Sequence, residues 1–383
     1  MLEGVNVALG VTGSIAAVKV VELAHELRRR GASVRAVMTE SAQEIVTPAA
    51  VTFATEHDVV TDVSGWVEHV ELCGTEGWAD VFLVAPATAN TVGKIAAAVD
   101  DTPVTTTATT ALGAGVPVVI APAMHEPMYD HPGVLESIER VESWGVDFVD
   151  PRVEEGKAKI ASIDAICLNV ARAAGERPLE GNHVVVTSGA TSERIDPVRV
   201  LTNRASGRTG RAVARACYVR GADVTLVHDG DDVPYADVAH VESAAEMLEA
   251  VLDACDDADA VLSVAAISDY TVEPASEKIR SGGELTLELE PTPKLVDSVR
   301  EAHPDLPLVG FKAETSGDDD AMVAQARRIM ARAGLSFVVA NDASVMGAEE
   351  TRALVVREDG VAEYTGSKSG LGFRVADELA TEL

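Results

Sequence analysis

The sequence predicts an α/β protein of two doubly wound domains, each built on a mainly parallel sheet. Three observations carry this prediction. Two strand–turn–helix openings, at Val5 and His183, divide the 383 residues into near-equal halves. Short continuous apolar runs alternate with segments of helical period, as strands buried on both faces require. Between the halves, Gly175-Glu-Arg-Pro178-Leu-Glu-Gly181 breaks both periods and reads as a linker, giving domains 1–176 and 177–383.

In the first half the run Val5–Leu9 breaks into Gly10-Val-Thr12-Gly13-Ser14 and passes at once into helix-patterned Ile15–Arg30, stopped at Gly31. A glycine turn lets main-chain N–H groups approach an anion, and the helix start adds partial positive charge. Further strands are expected at Ser33–Met38, Asp80–Ala85, Val116–Ala121 and Val146–Val149. Pro132 and Gly145 bracket a helix between the last two, and Ser162–Ala174 is a closing helix. The second half repeats the plan, with strands at Val184–Thr187, Asp223–Val227, Ala260–Ala265, Leu308–Gly310 and Phe337–Ala340. Its own glycine turn, Thr202 to Gly210, leads into a helix that closes at Gly221. Period-two patterns at Leu285–Glu290 and Thr351–Tyr364, with a hairpin signal at Glu358-Asp-Gly360, predict an antiparallel excursion. Asp318-Asp-Asp320 is expected to cap the helix that follows.

The net charge of −31 and the scarcity of lysine, 8 against 23 arginines, argue against nucleic-acid or anionic-membrane binding. Any phosphate must be met locally. So acidic a surface suits solubility in very high salt, where screening removes self-repulsion, which points to a halophilic source. Cys73, Cys167, Cys217 and Cys255 lie far apart without a CxxC pair and read as reduced thiols. No signal peptide and no apolar run near the roughly 18 residues of a membrane span is evident, so a cytoplasmic, soluble protein is expected.

Strand carboxyl ends are where open α/β sheets place ligands. Three segments of the first half belong there with the Gly10 turn: Val67-Glu-His69-Val-Glu-Leu72, Ala85-Pro86-Ala87-Thr88-Ala-Asn90, and Ala121-Pro122-Ala123-Met124-His125-Glu126-Pro-Met128. Together they resemble the flavin-dependent cysteine decarboxylases. The closest likeness is to the decarboxylase half of the bifunctional phosphopantothenoylcysteine decarboxylase/phosphopantothenate–cysteine ligases of coenzyme A biosynthesis. The resemblance implies that FMN is held by Gly10, Thr12, Gly13, Ser14, Thr39, Ser41, Pro86, Ala87, Thr88 and Asn90. It implies a catalytic base at His69 and a substrate grip around Met124 and His125. The chemistry suits these parts: oxidising the thiol carbon creates an electron sink for loss of CO₂, and an imidazole titrating near neutrality suits the accompanying proton removal.

Two departures stand out. His125 occupies the position of the family's asparagine, keeping a hydrogen-bond donor that can also carry charge. The family's flap cysteine, a proton donor, has no counterpart in Asp150-Pro-Arg152-Val-Glu-Glu-Gly156-Lys157-Ala-Lys159. His125, Lys157 or Lys159 is the expected replacement.

The second half carries Thr187-Ser-Gly189-Ala-Thr191, Ile195-Asp196-Pro-Val-Arg199, Thr202-Asn203-Arg-Ala205-Ser-Gly207-Arg-Thr-Gly210, Ala265-Ala-Ile-Ser-Asp269, Glu277-Lys278-Ile279 and Gly310-Phe311-Lys-Ala-Glu-Thr315. A bare Rossmann reading would make this a dinucleotide site. The longer string resembles the ligase half of the same family. That resemblance implies activation of 4′-phosphopantothenate by a nucleoside triphosphate, usually CTP, with Mg²⁺ bound chiefly through phosphates, followed by attack of the cysteine amine. Asn203 and Lys278 would act on the activated acyl group. Gly189, Ala265, Asp269 and Phe311 would bind substrate or nucleotide, with Lys294, Arg328, Arg332 and Lys368 as further cations. Metal ligands are not legible. The family further implies a homo-oligomer of decarboxylase trimers linked by ligase dimers. A flavin decarboxylase acting on another cysteine substrate, or a flavin-binding regulatory subunit with ligase activity alone, are the alternatives.

Overall fold

Apolar runs without alternation need cover on both faces, and the chain builds two sheets that receive it. The computed structural model describes residues 1–154, 157–280, 282–314, 318–342 and 350–383, which divide into two units, Met1–Gly175 and Glu176–Leu383.

In the first unit the strands are β1 (Asn6–Val11), β2 (Ser33–Met38), β3 (Val81–Ala87), β4 (Val118–Pro122), β5 (Met124–His125), β6 (Asp147–Phe148), β7 (Arg152–Glu154) and β8 (Lys157–Lys159). Five form a parallel sheet in the order β2-β1-β3-β4-β6. The order reverses between β1 and β3, and a crevice outside the carboxyl ends is the expected ligand position there. All seven residues of β3 are buried, which explains its unbroken apolar run. Phe82, Val84 and Ile120 pack with Val104 and Ala108 of the helix Pro103–Ala114. The helices Val20–Arg29 and Ile163–Ala174 pack against the sheet as well. Each fully buried Leu9, Leu83 or Ile120 contributes about 1.5–3 kcal/mol.

The first helix departs from expectation. Ile15–Lys19 is a 3₁₀ turn, and the α-helix begins only at Val20. Ile15 and Val18 are exposed and only Ala17 of this turn is buried, so little packing draws it into the α-helix.

The second unit contains β9 (His183–Thr187), β10 (Ser192–Arg194), β11 (Val200–Thr202), β12 (Asp223–His228), β13 (Asp237–His240), β14 (Ala260–Ser263), β15 (Tyr270–Val272), β16 (Leu289–Pro291), β17 (Leu308–Glu314), β18 (Phe337–Asp342), β19 (Glu350–Val356) and β20 (Val361–Ser367). Eight form one sheet in the order β13-β12-β9-β14-β17-β18-β19-β20. It is parallel as far as β18, and β19 and β20 then add an antiparallel hairpin. The switch point lies between β9 and β14. Helices Arg208–Val219 and Lys368–Leu379 pack together so closely that a side chain at Gly372 would strike the Ala212 carbonyl. Asp318 caps the helix Asp319–Ala333 through the Ala321 N–H at 2.9 Å. The expected strand Leu285–Glu290 is shorter than its pattern. Only β16 pairs, antiparallel to β15, while Leu285 and Leu287 stay exposed.

Candidate functional site

The carboxyl ends of the first sheet are laced together by short polar contacts. The Thr12 hydroxyl donates to the Pro86 carbonyl at 2.7 Å and accepts from the Thr88 N–H at 3.3 Å. Ser14 Oγ donates to the Ala123 carbonyl at 3.1 Å, the Ala123 N–H donates to Ala87 at 2.9 Å, and the Thr39 N–H donates to Val11 at 3.1 Å. Three strand ends thus carry Gly10, Thr12, Gly13, Ser14, Thr39, Ser41, Pro86, Ala87 and Thr88 as one group, tied through Ala123 to the end of β4. All of these are uncharged.

Their roles are not equivalent. Thr12 is buried and its hydroxyl proton is already held by Pro86, so it braces the loops instead of offering a donor to an anion. Ser14, Thr39 and Thr88 cap the helical segments that follow, each accepting a main-chain N–H. A Cβ at Gly13 would collide with Ser41, so the glycine permits a close approach that no side chain allows. Asn90 is exposed in the first turn of the helix Ala89–Ala96.

Met124 and His125 form β5, which pairs antiparallel with β8 so that His125 lies opposite Lys157 and Met124 opposite Ala158. The β7–β8 hairpin pairs Arg152 with Lys159. The expected flap therefore joins the strand that carries His125. The side chain of Lys157 and the residues Glu155 and Gly156 lie outside the described part.

His69 is half-buried in the first turn of the helix Glu68–Cys73, which packs against Pro103–Ala114. Val67 before it is β-branched yet sits at φ 50°, a strained conformation of the kind that clusters at functional positions. Glu68 anchors this bend through the Ser64 hydroxyl, and that bond holds its carboxyl below the ordinary range. Neither thiol of this unit is accessible: Cys73 and Cys167 are buried, and burial pushes Cys73 up to about 12.

In the second unit a cavity of about 680 Å³ opens at the switch point. Gly189 and Gly207, both at positive φ, let the turn after β9 meet the start of the helix Arg208–Val219, and Ser188 Oγ donates to the Gly207 carbonyl at 2.9 Å. Thr187 Oγ1 receives the N–H groups of Val264 and Ala265, each at 3.0 Å, and the Asn203 amide donates to Ala266 at 3.0 Å. The cavity is lined by Gly189, Asn203, Ala265, Asp269, Lys294, Phe311 and Lys368 among the sequence-predicted residues. Asp269 and Lys294 form an ion pair at its edge.

Three cations that the sequence reading did not assign also line it: Arg204, Arg208 and Lys312. Five cationic side chains and one described carboxylate thus surround one cavity in a chain of net charge −31. Desolvation, helped by the nearby Arg208 charge, lowers the Lys368 ammonium below its ordinary value. The signal available in the sequence was rarity, since three of the 8 lysines converge here.

Other predicted residues stand apart. Lys278 is exposed on the loop before Ile279 and is not among the lining residues. Nor are Arg328 and Arg332, and Arg332 pairs with Asp297 at 3.2 Å. Thr315 lies outside the described residues. Among the described residues no cluster of His, Cys, Asp and Glu could hold a metal ion, and no helix is long and apolar enough to cross a membrane.

Comparison with known proteins covers both units. The family model described as Flavoprotein matches residues 1–175, and that of the DNA/pantothenate metabolism flavoprotein C-terminal domain matches residues 179–383. The coenzyme A biosynthesis bifunctional protein CoaBC of Thermococcus kodakarensis is 48% identical over 385 residues, covering 99% of this chain and 95% of that protein. The Bacillus subtilis protein of the same name is 38% identical over 369 residues, 91% of this chain and 88% of that protein. The solved structure of the FMN-dependent cysteine decarboxylase SpaF aligns with 46% of this chain and 100% of its own at 33% identity and a TM-score of 0.40.

Proposed function

The chain belongs to the CoaBC family of bifunctional coenzyme A biosynthesis proteins, and from that premise we propose how its two units divide the work. The protein is a decarboxylase and a ligase of that biosynthesis. Residues 1–176 decarboxylate phosphopantothenoylcysteine on FMN, and residues 177–383 make that substrate from 4′-phosphopantothenate and cysteine. The observation that carries the ligase assignment is the convergence of five cations on one cavity in an otherwise acidic chain.

FMN fits the first unit. The strand-end group is uncharged and rich in hydroxyls, and the close approach at Gly13 leaves main chain where a side chain would otherwise stand. Gly10, Gly13, Ser41, Thr88 and Asn90 hold it, with Thr12, Ser14, Thr39 and the Pro86-Ala87 segment bracing them. Bound flavin supplies reversible two-electron oxidation at the thiol-bearing carbon, which makes loss of CO₂ accessible. His69 removes the proton that accompanies that oxidation. His125 donates a hydrogen bond to the substrate carboxylate beside Met124. The final proton comes from His125, Lys157 or Lys159, because both thiols of this unit are buried. Full turnover in a variant lacking all three donors would reject that source.

In the second unit CTP is the cosubstrate and Mg²⁺ is held mainly by its phosphates. A carboxylate oxygen of 4′-phosphopantothenate attacks the α-phosphate and pyrophosphate leaves. The cysteine amine then attacks the acyl carbon, expelling CMP. Arg204, Arg208, Lys312 and Lys368 offset the triphosphate charge, and Lys294, Asp269, Ala265 and Phe311 bind the nucleotide. Asn203 and Lys278 act on the acyl intermediate, with Arg328 and Arg332 as outlying cations. The test is product analysis with each triphosphate in turn. CMP and pyrophosphate formed from CTP support the reading; AMP formed in preference refutes the nucleotide choice, and no pyrophosphate from any triphosphate refutes the ligase.

The enzyme works in the cytoplasm as decarboxylase trimers joined through ligase dimers. The 85% exposure of Trp66 and the apolar Leu285, Leu287 and Leu289 support such contacts. The acidic surface supports a halophilic origin; loss of folding at low ionic strength would bear this out, and a salt-independent melt would not.

A further inference from the structure

One arginine beside the cavity takes no part in the chemistry above. Arg211 stands one turn into the helix Arg208–Val219, where long side chains lean back toward the helix start. Its Nη2 donates to the Ser206 carbonyl at 2.9 Å, which folds the guanidinium over the glycine turn. A Cβ at Gly207 would lie 2.7 Å from Arg211 Nη1 and 3.1 Å from the Gly189 nitrogen, so the guanidinium and that nitrogen flank the same open side of the turn. Ser206, Gly207 and Gly210 line the cavity, and Arg211 stands next to them. Among the described residues no carboxylate pairs with it, whereas Arg220 at the far end of the same helix pairs with Asp377 at 2.6 Å.

The side on which it stands decides what it can meet. In the sheet order β12-β9-β14-β17, the nucleotide contacts Ala265, Asp269 and Phe311 belong to the β14 and β17 side of the turn after β9. Arg211 lies toward β12, since its charge is felt at His228, the last residue of that strand. A triphosphate that crosses the glycine turn away from its nucleoside therefore brings its outer phosphates to Arg211. His228 is buried, and burial together with the Arg211 charge holds its imidazole below the ordinary value, so it adds no second cation there at neutral pH. The Asp229 carboxylate, 3.2 Å from where a Cβ at Gly189 would lie, is exposed, and solvent screens it. We propose that Arg211 binds the two outer phosphates of the nucleotide and carries the charge of the pyrophosphate as it departs. The proposal rests on the reading of this cavity as the nucleotide site. As the substrate carboxylate forms its bond to the α-phosphorus, the bond from that phosphorus to the α–β bridging oxygen breaks. Its electron pair leaves on the pyrophosphate, whose added charge faces a planar guanidinium suited to two phosphate oxygens.

The test measures equilibrium binding of CTP and of CMP to the full chain, and inhibition of the ligase by added pyrophosphate, for the native protein, R211Q and R211K, all with Mg²⁺. Loss of a charge-assisted contact weakens CTP binding in R211Q by about 10-fold to 100-fold and raises the pyrophosphate inhibition constant by a similar factor. CMP, which lacks the outer phosphates, binds within about twofold of native. R211K keeps the charge but not the fork, and falls between the two. The same measurements with ATP and AMP serve if ATP is the nucleotide that the native chain takes. CTP binding unchanged in R211Q overturns the proposal alone, as does CMP weakened as much as CTP, which would mark Arg211 as a support of the turn. A native chain that binds neither a triphosphate nor pyrophosphate overturns the nucleotide site itself and the proposal with it. If R211Q fails to fold, R211K carries the test, with CTP weakened and CMP unchanged as the expected result and equal weakening of both as the contrary one.

Discussion

Thr12 offers the sharpest test of the flavin site, because Thr12→Val changes hydrogen bonding with little change of shape. In the native loop one hydroxyl joins the β1 and β3 ends, donating at 2.7 Å to Pro86 and accepting at 3.3 Å from Thr88. Thr12 is 1% exposed, so water cannot replace either bond. The variant orphans a carbonyl and an N–H, and at about 1–2 kcal/mol each the loss is about 2–4 kcal/mol. If FMN binds only the braced loops, that cost falls on binding. A tenfold change in affinity corresponds to about 1.4 kcal/mol, so the Kd rises by about 30-fold to 1,000-fold. The assay is fluorescence titration of flavin-free protein with FMN, run beside Thr12→Ser, which keeps the hydroxyl and should bind nearly as the native protein does. A T12V Kd within about twofold of native, or equal weakening in T12S, would show that the bridge is not what shapes the site.

Further outcomes follow from other contacts. Gly210→Ala places a Cβ 2.6 Å from Ser188 at the cavity wall; overpacking of about 1–3 kcal/mol there raises the KM for CTP by about tenfold in a pyrophosphate assay, and an unchanged KM contradicts the packing. The four cysteines are buried, and burial raises Cys73 and Cys217 to about 12 and Cys255 to about 11. A thiol reagent at pH 8 should therefore label none of them until denaturant is added, whereas rapid native labelling would disprove their burial. Burial alone would raise the Asp196 carboxyl, but the N–H groups of Val198, Ile279 and Arg199 hold it below the ordinary 3.8. Its contribution to stability is therefore complete above that value and lost as pH falls through the lower folded value. Acid unfolding of the second unit should be less steep in D196N below pH 3.8; identical acid profiles would contradict this.

The strands and glycine turns that flank both switch points were legible because they are local properties, whereas the strand orders that create those switch points were not. The strands β9, β12 and β14 coincide closely with their apolar runs. The edge strand β13, Asp-Val-Ala-His, escaped notice because an edge needs cover on fewer sides and so tolerates polar residues. The 3₁₀ start of the first helix was hidden for a similar reason. Its period looked helical, and only the exposure of Ile15 and Val18 shows that little packing supports it. Site chemistry was legible as segments, not as contacts. The turn carrying Asn203 and Gly207 was readable, but the gathering of Arg204, Arg208 and Lys312 around one cavity depends on strands distant in sequence. Thr12 was readable as part of a phosphate turn, while its commitment to Pro86 required the distance between two strand ends.

The central claim is that each unit runs one reaction at its own strand ends. The most direct measurement pairs His69→Gln with Lys278→Gln in the full chain and follows CO₂ and multiple-turnover pyrophosphate formation separately, supplying phosphopantothenoylcysteine for the first and 4′-phosphopantothenate, cysteine, CTP and Mg²⁺ for the second. The account predicts that H69Q loses CO₂ release and keeps pyrophosphate formation, and that K278Q does the reverse. Loss of both products in either variant, or of neither, would contradict it.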